Sequence, residues 1–345
     1  MNDETKKLVK TVQHNCHIAD ARHAGDYTLC VYLLKMREMY RWEQGIDFKT
    51  QLTTDDVGDW LTEREGVWDE VEAQDYKPLI IEDTSYEPFQ NELINQLIDN
   101  NNLVYNAGLG IRCRPHFFLG ELEEKIEYDD FTIYISGREY ARDMAAPAAM
   151  AQENRVFIRR ESLRRVIWEI LDDARVSGLD NPLTRAMQFY NFDTDIEKAL
   201  DAMTNAEIDY VIQHEIGEVK AGKILGEKWN QVLASFTRTQ AEIMLRAVRD
   251  HLADAMTTLP LLLEKAESAS IHFYFGNMTA MRKHLAPGYI RAYKSWCNNG
   301  DLSELKRVAD KAQTFWQTLA QDVLNVCNEE KNHLAIEKMI SQRVL

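Results

Sequence analysis

Hydrophobic and polar positions follow a helical period along much of the chain. The sequence YTLCVYLLKMREMYRWEQG, which begins at Tyr27, has apolar or aromatic residues at positions 29, 32, 33, 36, 39 and 40, and the period ends at Gly45. Charged residues at 35, 37, 38 and 41 occupy other positions of the same stretch. The spacing therefore predicts an amphipathic helix with one apolar face.

A different pattern runs from about residue 78 to residue 160. Short runs rich in β-branched and aromatic residues alternate there with Asp, Asn, Gly and Pro: KPLIIED, NLVYNAG, PHFFLGELEEKIEY, FTIYISG and NRVFIRR. Residues 116–128 and 131–136, joined across Asp129 and Asp130, form the best hairpin. We expect these runs to build a small antiparallel sheet.

Beyond Glu161 the pattern is helical throughout. The turn residues SGLDNP at 177–182 end the first of these helices and mark the best domain boundary. The sequence thus predicts a mainly α protein, with an N-terminal α+β domain at 1–178 and a C-terminal all-α helical domain at 179–345. Helices are expected at 183–191, 194–203, 205–224, 226–236, 239–266, 270–285, 287–297 and 302–343.

Composition supports this fold class and narrows the partners. The chain of 345 residues has 15 glycines and 7 prolines; together they make up about 6 % of it, against a usual share of about 12 %, which disfavours folds made mostly of tight turns. The formal charge of −16 repels phosphate backbones. A nucleic-acid partner is therefore not expected, and the substrate is expected to be a small molecule or a peptide.

Location is inferred from apolar runs and cysteines. The first fifteen residues have no apolar core typical of a secretory signal, and the longest nearly uncharged run, Met256 to Leu263, is too short to cross a bilayer. The five cysteines are scattered and contain no C-x-x-C pair. We therefore expect a cytoplasmic protein with reduced thiols and no membrane partner.

The richest chemical pattern is the H-E-x-x-E sequence at 214–218. His214 and Glu218 are four residues apart, so on a helix both share one face and can approach the same cation. Glu215 points about 100° away around the helix, as the general-base glutamate does in the H-E-x-x-H zinc motif. Glutamate in place of the second histidine shifts the preference towards harder metals.

Two further helices offer compatible residues. His251 and Asp254 are three apart on the next long helix, with Asp250 beside them, and His272 follows within an aromatic stretch. Because helices joined by short connections tend to be neighbours, we expect one or two metal ions, zinc, iron or manganese, to be bound by a mixed set of nitrogen and oxygen ligands. The expected ligands are His214, Glu218, His251, Asp254 and His272. The alternative is a set of exposed ion pairs and hydrogen-bonded core histidines that only orient the helices.

Two other segments carry secondary candidates. His17, Asp20 and His23 repeat at a spacing of three and are candidates for a second metal or acid–base site; the alternative is helix capping and surface hydrogen bonding. An arginine cluster near the helix that begins at Glu161 is a candidate anion site, and its alternative is a solvated face paired with acidic residues. The anion-binding candidates are Arg159, Arg160 and Arg164.

Two stretches resemble a bacterial two-domain family whose domains have no known function. They are CHIADARHAGDYTLCVYLLKMREMYRWE, from Cys16, and DHLADAMTTLP, from Asp250, followed by IHFYFGNMTAMRKHLAPGYIRAY. The resemblance implies a bacterial cytoplasmic setting and a division into two domains. It implies no activity and no catalytic residue.

The leading hypothesis is a metal-dependent enzyme, most simply a hydrolase. A metal held by His214, Glu218 and His251 would lower the pKa of a bound water, and Glu215 would accept the proton. A carboxylate-rich site among helices also suits redox or oxygen chemistry. The alternative from another class is a non-catalytic interaction protein, with structural histidines and an acidic helical surface whose main element is the terminal helix 302–343.

Overall fold

The chain folds into two compact units. The computed structural model describes residues 1–110, 114–152, 154–177, 180–329 and 332–345. The N-terminal unit comprises residues 1–168 with 193–204, and the C-terminal unit comprises residues 169–192 with 205–345. The expected domain boundary, between residues 178 and 179, lies outside the described residues and stays a prediction.

The N-terminal unit begins with three helices and continues with strands. Helices α1 (Asp3–His23), α2 (Leu29–Glu43) and α3 (Thr54–Val71) precede a hairpin of β1 (Leu79–Ile81) and β2 (Thr84–Tyr86). Helix α4 (Asn91–Ile98) leads into a five-stranded sheet, after which α5 (Arg160–Ser177) begins. The strands of that sheet are β3 (Leu103–Leu109), β4 (Pro115–Glu127), β5 (Thr132–Arg142), β6 (Ala149–Gln152) and β7 (Arg155–Arg159).

The five-stranded sheet is larger than expected and is not purely antiparallel. Its order is β3-β4-β5-β7-β6, and the expected hairpin is confirmed as the antiparallel pair β4 and β5. Strand β7 pairs with β5 in parallel, with Ile133 opposite Val156, so the sheet is mixed. The prediction of a small antiparallel sheet was wrong because five strands join one sheet and residues 132–136 of β5 pair in parallel with β7, a contact between segments distant in sequence.

Helix α1 covers one face of this sheet. Its buried residues Val12 and Cys16 pack into a core with Tyr105 of β3 and Phe117 of β4. Helix α1 places these apolar side chains at i and i+4, which puts them on one face of the helix. A second core lies between α2 and α3, where Met36 and Met39 meet Trp60 and Trp68.

The C-terminal unit is built from helices. After α6 (Pro182–Met187), helix α7 (Ile196–Ser235) changes direction at Gly226, whose φ of 68° is not helical. The remaining helices are α8 (Gln240–Met256), α9 (Thr258–Lys265), α10 (Ser268–Asn277), α11 (Ala280–Leu285), α12 (Pro287–Asn299), α13 (Ser303–Glu329) and α14 (His333–Ser341). Helix α8 is largely buried and packs against α9, α11, α13 and α14.

The structure can be examined for membrane-spanning helices and for disulfide bonds. In the described part of the chain, no helix has the length and apolar character needed to cross a membrane. Cys16, Cys30, Cys297 and Cys327 are free thiols, and Cys113 lies outside the described residues.

Candidate functional site

The H-E-x-x-E sequence lies on α7 where this helix passes very close to α8. A Cβ atom on Gly217 would lie less than 3.0 Å from the backbone carbonyl oxygen of Ala253. Only glycine therefore permits this approach of the two backbones. Thr257 strengthens the contact, since its hydroxyl donates a 2.6 Å hydrogen bond to the carbonyl oxygen of Gln213.

The close approach brings His214 of α7 to Asp254 of α8. The distance from Nδ1 of His214 to Oδ1 of Asp254 is 2.7 Å. Asp254 also accepts a 2.8 Å hydrogen bond from the hydroxyl of Tyr274 on α10 and an ion-pair hydrogen bond from Nη2 of Arg282 on α11. Asp254 thus connects four helices and has three charged or polar donors.

These contacts set the protonation state of the pair. Burial alone would lower the pKa of His214, but the attraction and hydrogen bond of Asp254 outweigh it and raise the pKa to about 9. Burial would raise the pKa of Asp254, but Arg282 and His214 hold it well below its usual range. At neutral pH the pair is an imidazolium and a carboxylate.

The second imidazole nitrogen of His214 is less constrained. Its Nε2 lies 3.7 Å from Oε1 of Glu218, beyond hydrogen-bond distance, and that carboxylate oxygen already accepts a 2.8 Å hydrogen bond from Arg249. Among the described residues, Nε2 has no hydrogen-bond partner. The N–H group at this position is therefore free to donate to another molecule.

Glu215, the expected general base, is not one of the donors or acceptors of the His214 and Asp254 pair. Its side chain is buried, and burial together with the charge of Glu218 raises its pKa to about 7. Asp250 is also affected, since burial raises its pKa despite the nearby Arg282 and His214. Neither Glu215 nor Asp250 lines the cavity that opens beside His214, which is described next.

A cavity of about 170 Å³ opens beside the His214 and Asp254 pair. It is smaller than the 300–1,000 Å³ typical of drug-sized pockets, so it suits a small molecule. The side chains that line it are those of Glu207, Tyr210, Val211, His214, Asp254, Thr258, Phe273, Tyr274, Asn277, Met278 and Arg282.

Two buried donors at this cavity have no partner within the described chain. They are the hydroxyl of Thr258, a residue only 3 % exposed, and Nε of Arg282. A buried donor without a hydrogen bond costs roughly 1–3 kcal/mol, so such groups are usually satisfied by water or a ligand. Glu207 also lines the cavity, and burial raises its pKa to about 7 although Ser270 donates a 2.7 Å hydrogen bond to it.

The structure brings together only part of the expected metal-ligand set. His214, Glu218 and Asp254 are neighbours, whereas His251 stacks on Trp316 with ring centroids 4.4 Å apart and directs Nε2 to the carbonyl oxygen of Arg282. The described residues contain no group of three or more His, Cys, Asp or Glu side chains that could hold a metal ion. The arginines explain this, because they take the carboxylate oxygens that a cation would need.

His272 is separate as well. Its Nδ1 lies 2.7 Å from the hydroxyl of Tyr293, and its ring contacts Trp296. Burial and Arg185 lower its pKa, so the ring is neutral at physiological pH. His251 is neutral for a similar reason, since burial and the charge of Arg282 lower its pKa to about 3. Both histidines stabilise the packing of the helices that hold them.

The secondary candidates at the amino terminus do not converge. Nε2 of His17 contacts Arg64 at 2.7 Å, and burial together with that arginine lowers the pKa of His17 to about 3. Asp20 is buried and accepts hydrogen bonds from the backbone of Met144, while His23 lies 3.4 Å from Asp26. Each side chain of the expected second site thus has its own partner.

The expected anion-binding arginines are paired with carboxylates. Arg159 is almost fully buried and makes two hydrogen bonds, of 3.1 and 2.6 Å, to Glu139. Arg160 binds Glu123 at 2.7 Å. Arg164 binds Glu197 and Asp201, each at 2.6 Å. All three arginines are therefore paired with carboxylates, and Arg159 makes its pair in the interior and not on a solvated face.

Sequence reasoning missed three residues of the site: Thr258, Tyr274 and Arg282. Tyr274 and Arg282 lie in a stretch that is typical of an aromatic core with basic residues on its outer side. The sequence alone does not show that both side chains turn towards Asp254. The spacing of eight residues between them crosses the break between α10 and α11, so no single helical period joins them.

Comparison with models of protein families matches both parts of the chain to the two domains of one family. Residues 7–159 match the family described as "Family of unknown function (DUF6866) N-terminal domain", and residues 164–343 match the one described as its C-terminal domain. The chain belongs to the DUF6866 family. This match confirms the resemblance to a two-domain family of unknown function. Neither the curated proteins nor the solved structures gave a match to this member of the DUF6866 family.

Proposed function

We propose that the C-terminal unit of this DUF6866 family member is an enzyme in which His214 transfers a proton to a small, oxygen-bearing substrate. One observation carries the proposal: Asp254 holds Nδ1 of His214 at 2.7 Å beside a cavity, while Nε2 lacks a hydrogen bond among the described residues. A buried carboxylate that orients a histidine is the usual arrangement in general acid–base catalysis.

The proposed step is the protonation of a substrate oxygen. Water takes a proton from the carbon next to the substrate's carbonyl group, the electron pair of that C–H bond forms the enol double bond, and the carbonyl π pair moves onto the oxygen. That oxygen takes the proton of the Nε2–H group, which leaves an enol and a neutral imidazole, and the hydronium ion formed in the first step then returns its proton to the imidazole. Asp254 stays ionised, since Arg282 and Tyr274 also donate to it. Its charge keeps the proton of Nδ1 in place and stabilises the imidazolium between turnovers.

The cavity's free donors indicate the class of substrate. Thr258 and Arg282 line a space of about 170 Å³, and the Thr258 hydroxyl and the Nε–H of Arg282 have no hydrogen-bond partner among the residues that the structure describes. These groups match acceptor oxygens, so a small carboxylate or carbonyl compound is the best fit.

A ligand-observed NMR screen tests the proposal. The full chain is mixed with two- to five-carbon oxo and hydroxy acids, and binding is measured before conversion is followed over hours. We expect at least one acid to bind and to be converted. His214→Gln is expected to keep binding within about threefold and to lose conversion by about a hundredfold or more.

Val211 provides the control for the location of binding, because it lines the cavity. Val211→Phe fills that space and is expected to abolish binding, whereas Val344→Phe, at an exposed site of the same unit, leaves it unchanged. Binding that survives Val211→Phe, or conversion that His214→Gln does not slow, contradicts the proposal. No binding by any acid of the panel contradicts it as well.

Metal-assisted hydrolysis is the second candidate, because His214, Glu218 and Asp254 do lie together. A cation there must compete with Arg249 and Arg282 for carboxylate oxygens. This candidate predicts stoichiometric zinc, iron or manganese in protein purified without an affinity tag, and loss of that metal in Glu218→Gln.

We also propose a bacterial, cytoplasmic setting for this protein, and fractionation of the source cells tests it.

A further inference from the structure

Helix α2 exposes an apolar surface that its sequence pattern assigns to a buried face. The pattern joins Leu29 and Leu33 to Met36 and Met39, and the two methionines are indeed buried. Leu29 and Leu33, which are one turn apart on the same face of α2, are 71 % and 45 % exposed. Contiguous apolar exposure of this kind marks a binding surface in most soluble proteins.

Leu29 also lines a groove of about 480 Å³ beside α2. Its apolar walls come from the end of α1, the start of α2 and the second half of α3, and Trp68 lies at its base with only 5 % exposure. Small residues at the end of α1 leave room for the backbone of an approaching helix. The apolar and small lining residues are Ala21, Ala24, Gly25, Tyr27, Leu29, Tyr32 and Trp68.

The remaining lining residues of the groove are acidic. Glu65, Asp69 and Glu72 all lie on α3 or at its end, and Glu65 accepts a 2.7 Å hydrogen bond from the hydroxyl of Tyr32. A molecule that binds here must therefore combine apolar side chains with positive charge. A second copy of this chain is disfavoured, because each copy carries a formal charge of −16.

We propose that the α2 groove, formed by α2, α3 and the end of α1, binds a basic amphipathic helix of a partner protein. The partner's apolar side chains pack on Leu29, Leu33 and Trp68, and its lysines or arginines face Asp69 and Glu72. This mode, in which an amphipathic helix lies in an apolar groove, depends on anchors at a spacing of three and four residues.

Fluorescence anisotropy with a labelled peptide tests this surface. The probe is a leucine–lysine helix of about 18 residues with a 3.6-residue period, and its partner probe replaces every lysine with glutamate. We expect the lysine peptide to bind the full chain saturably with a dissociation constant of about 10 µM, and the glutamate peptide to bind at least about tenfold more weakly.

Leu29→Ser with Leu33→Ser removes two anchors and is expected to weaken binding of the lysine peptide by about 30-fold. The matched control is Ile243→Ser with Leu334→Ser, which changes two similarly exposed aliphatic residues of the other unit and leaves binding unchanged. Asp69→Asn with Glu72→Gln tests the acidic side independently. This second double variant is expected to weaken binding severalfold and to reduce its salt dependence.

Several results overturn the proposal. One is a lysine peptide that does not bind, or that binds the Leu29→Ser, Leu33→Ser variant as tightly as the unchanged chain. Another is a stable dimer in light scattering that this variant abolishes, because the groove would then be occupied by a second copy. Binding to vesicles of neutral and anionic phospholipid that depends on the same leucines also overturns it.

Discussion

Two carboxylates four residues apart on α8 experience opposite electrostatic environments. Asp254 has Arg282, His214 and Tyr274 as donors, which keep its pKa well below the usual range. Burial raises the pKa of Asp250. The same residue type on the same helix is thus stabilised as an anion at one position and disfavoured as an anion at the other.

Asparagine substitutions separate these two environments. Asp254→Asn leaves Arg282 and His214 without their buried counter-ion, so we expect the free energy of unfolding to fall by about 3–5 kcal/mol. Asp250→Asn removes a charge that burial disfavours, and its effect is expected to stay within about 1 kcal/mol. Urea denaturation of both variants at pH 7 measures the difference. Equal losses in the two variants would contradict the assigned environments.

The raised pKa of His214 makes stability depend on pH. The pKa is about 9 in the folded chain, against an ordinary value of 6.5 for the unfolded one, so the contribution is complete below pH 6.5 and disappears as the pH rises through 9. Its size is about 2 to 3 kcal/mol.

This pH dependence is measured as the difference in unfolding free energy between the unchanged chain and His214→Gln. We expect the difference to shrink between pH 6 and pH 9.5, whereas His284→Gln, at an exposed position, shows no such trend. Glu207 is present in both proteins and His214 is not among the causes of its pKa shift, so its contribution cancels in the difference. A difference that stays constant or grows with pH would refute the pairing of His214.

At the level of single residues, part of the site could be predicted from the sequence. Helical spacing proposes both His214 and Asp254, and they do meet across α7 and α8. It does not propose Arg282, the counter-ion of Asp254, or Arg249, which pairs with Glu218. A spacing rule finds residues that share a face of one helix, but it does not show which charges on other helices reach the same point.

At the level of elements, α7 departs most clearly from its pattern. Thr204 and Glu207 resemble a capping box that predicts a helix start, but the helix continues through both, and Glu207 instead accepts a hydrogen bond from Ser270. A buried hydrogen bond from another helix thus replaces the local one that the sequence suggests. Strand β5 shows the same limit, since its second half contains Glu139 and Arg142, which are buried in ion pairs.

The two glycines of α7 that lie four residues apart predict opposite effects of alanine. Gly222 has helical geometry and open space where an added Cβ atom would lie, so Gly222→Ala is expected to stabilise the chain by about 0.5–1 kcal/mol. Gly226 has a φ of 68°, and Gly226→Ala is expected to destabilise it by about 1–3 kcal/mol. Thermal denaturation of the two variants, compared at equal pH, checks the signs. A stabilised Gly226→Ala would show that α7 does not need this change of direction.

At the level of the whole molecule, the family match spans both units while the candidate chemistry lies in one. The matched ranges, 7–159 and 164–343, cover the sheet and the helical unit alike. The mainly helical fold and the division into two units could be predicted, because periodicity and turn residues are local signals. The mixed sheet could not, because the parallel pairing of β5 and β7 depends on contacts between residues distant in sequence.

The protonation state of His214 underlies the proposed chemistry, and NMR titration of its imidazole measures that state directly. We predict a pKa of about 9 in the full chain, and a clear decrease in Asp254→Asn, where the counter-ion is absent. A His214 pKa at or below 6.5 in the unchanged chain would contradict the proposed proton transfer, because the cavity would then face a neutral imidazole with no proton held for transfer.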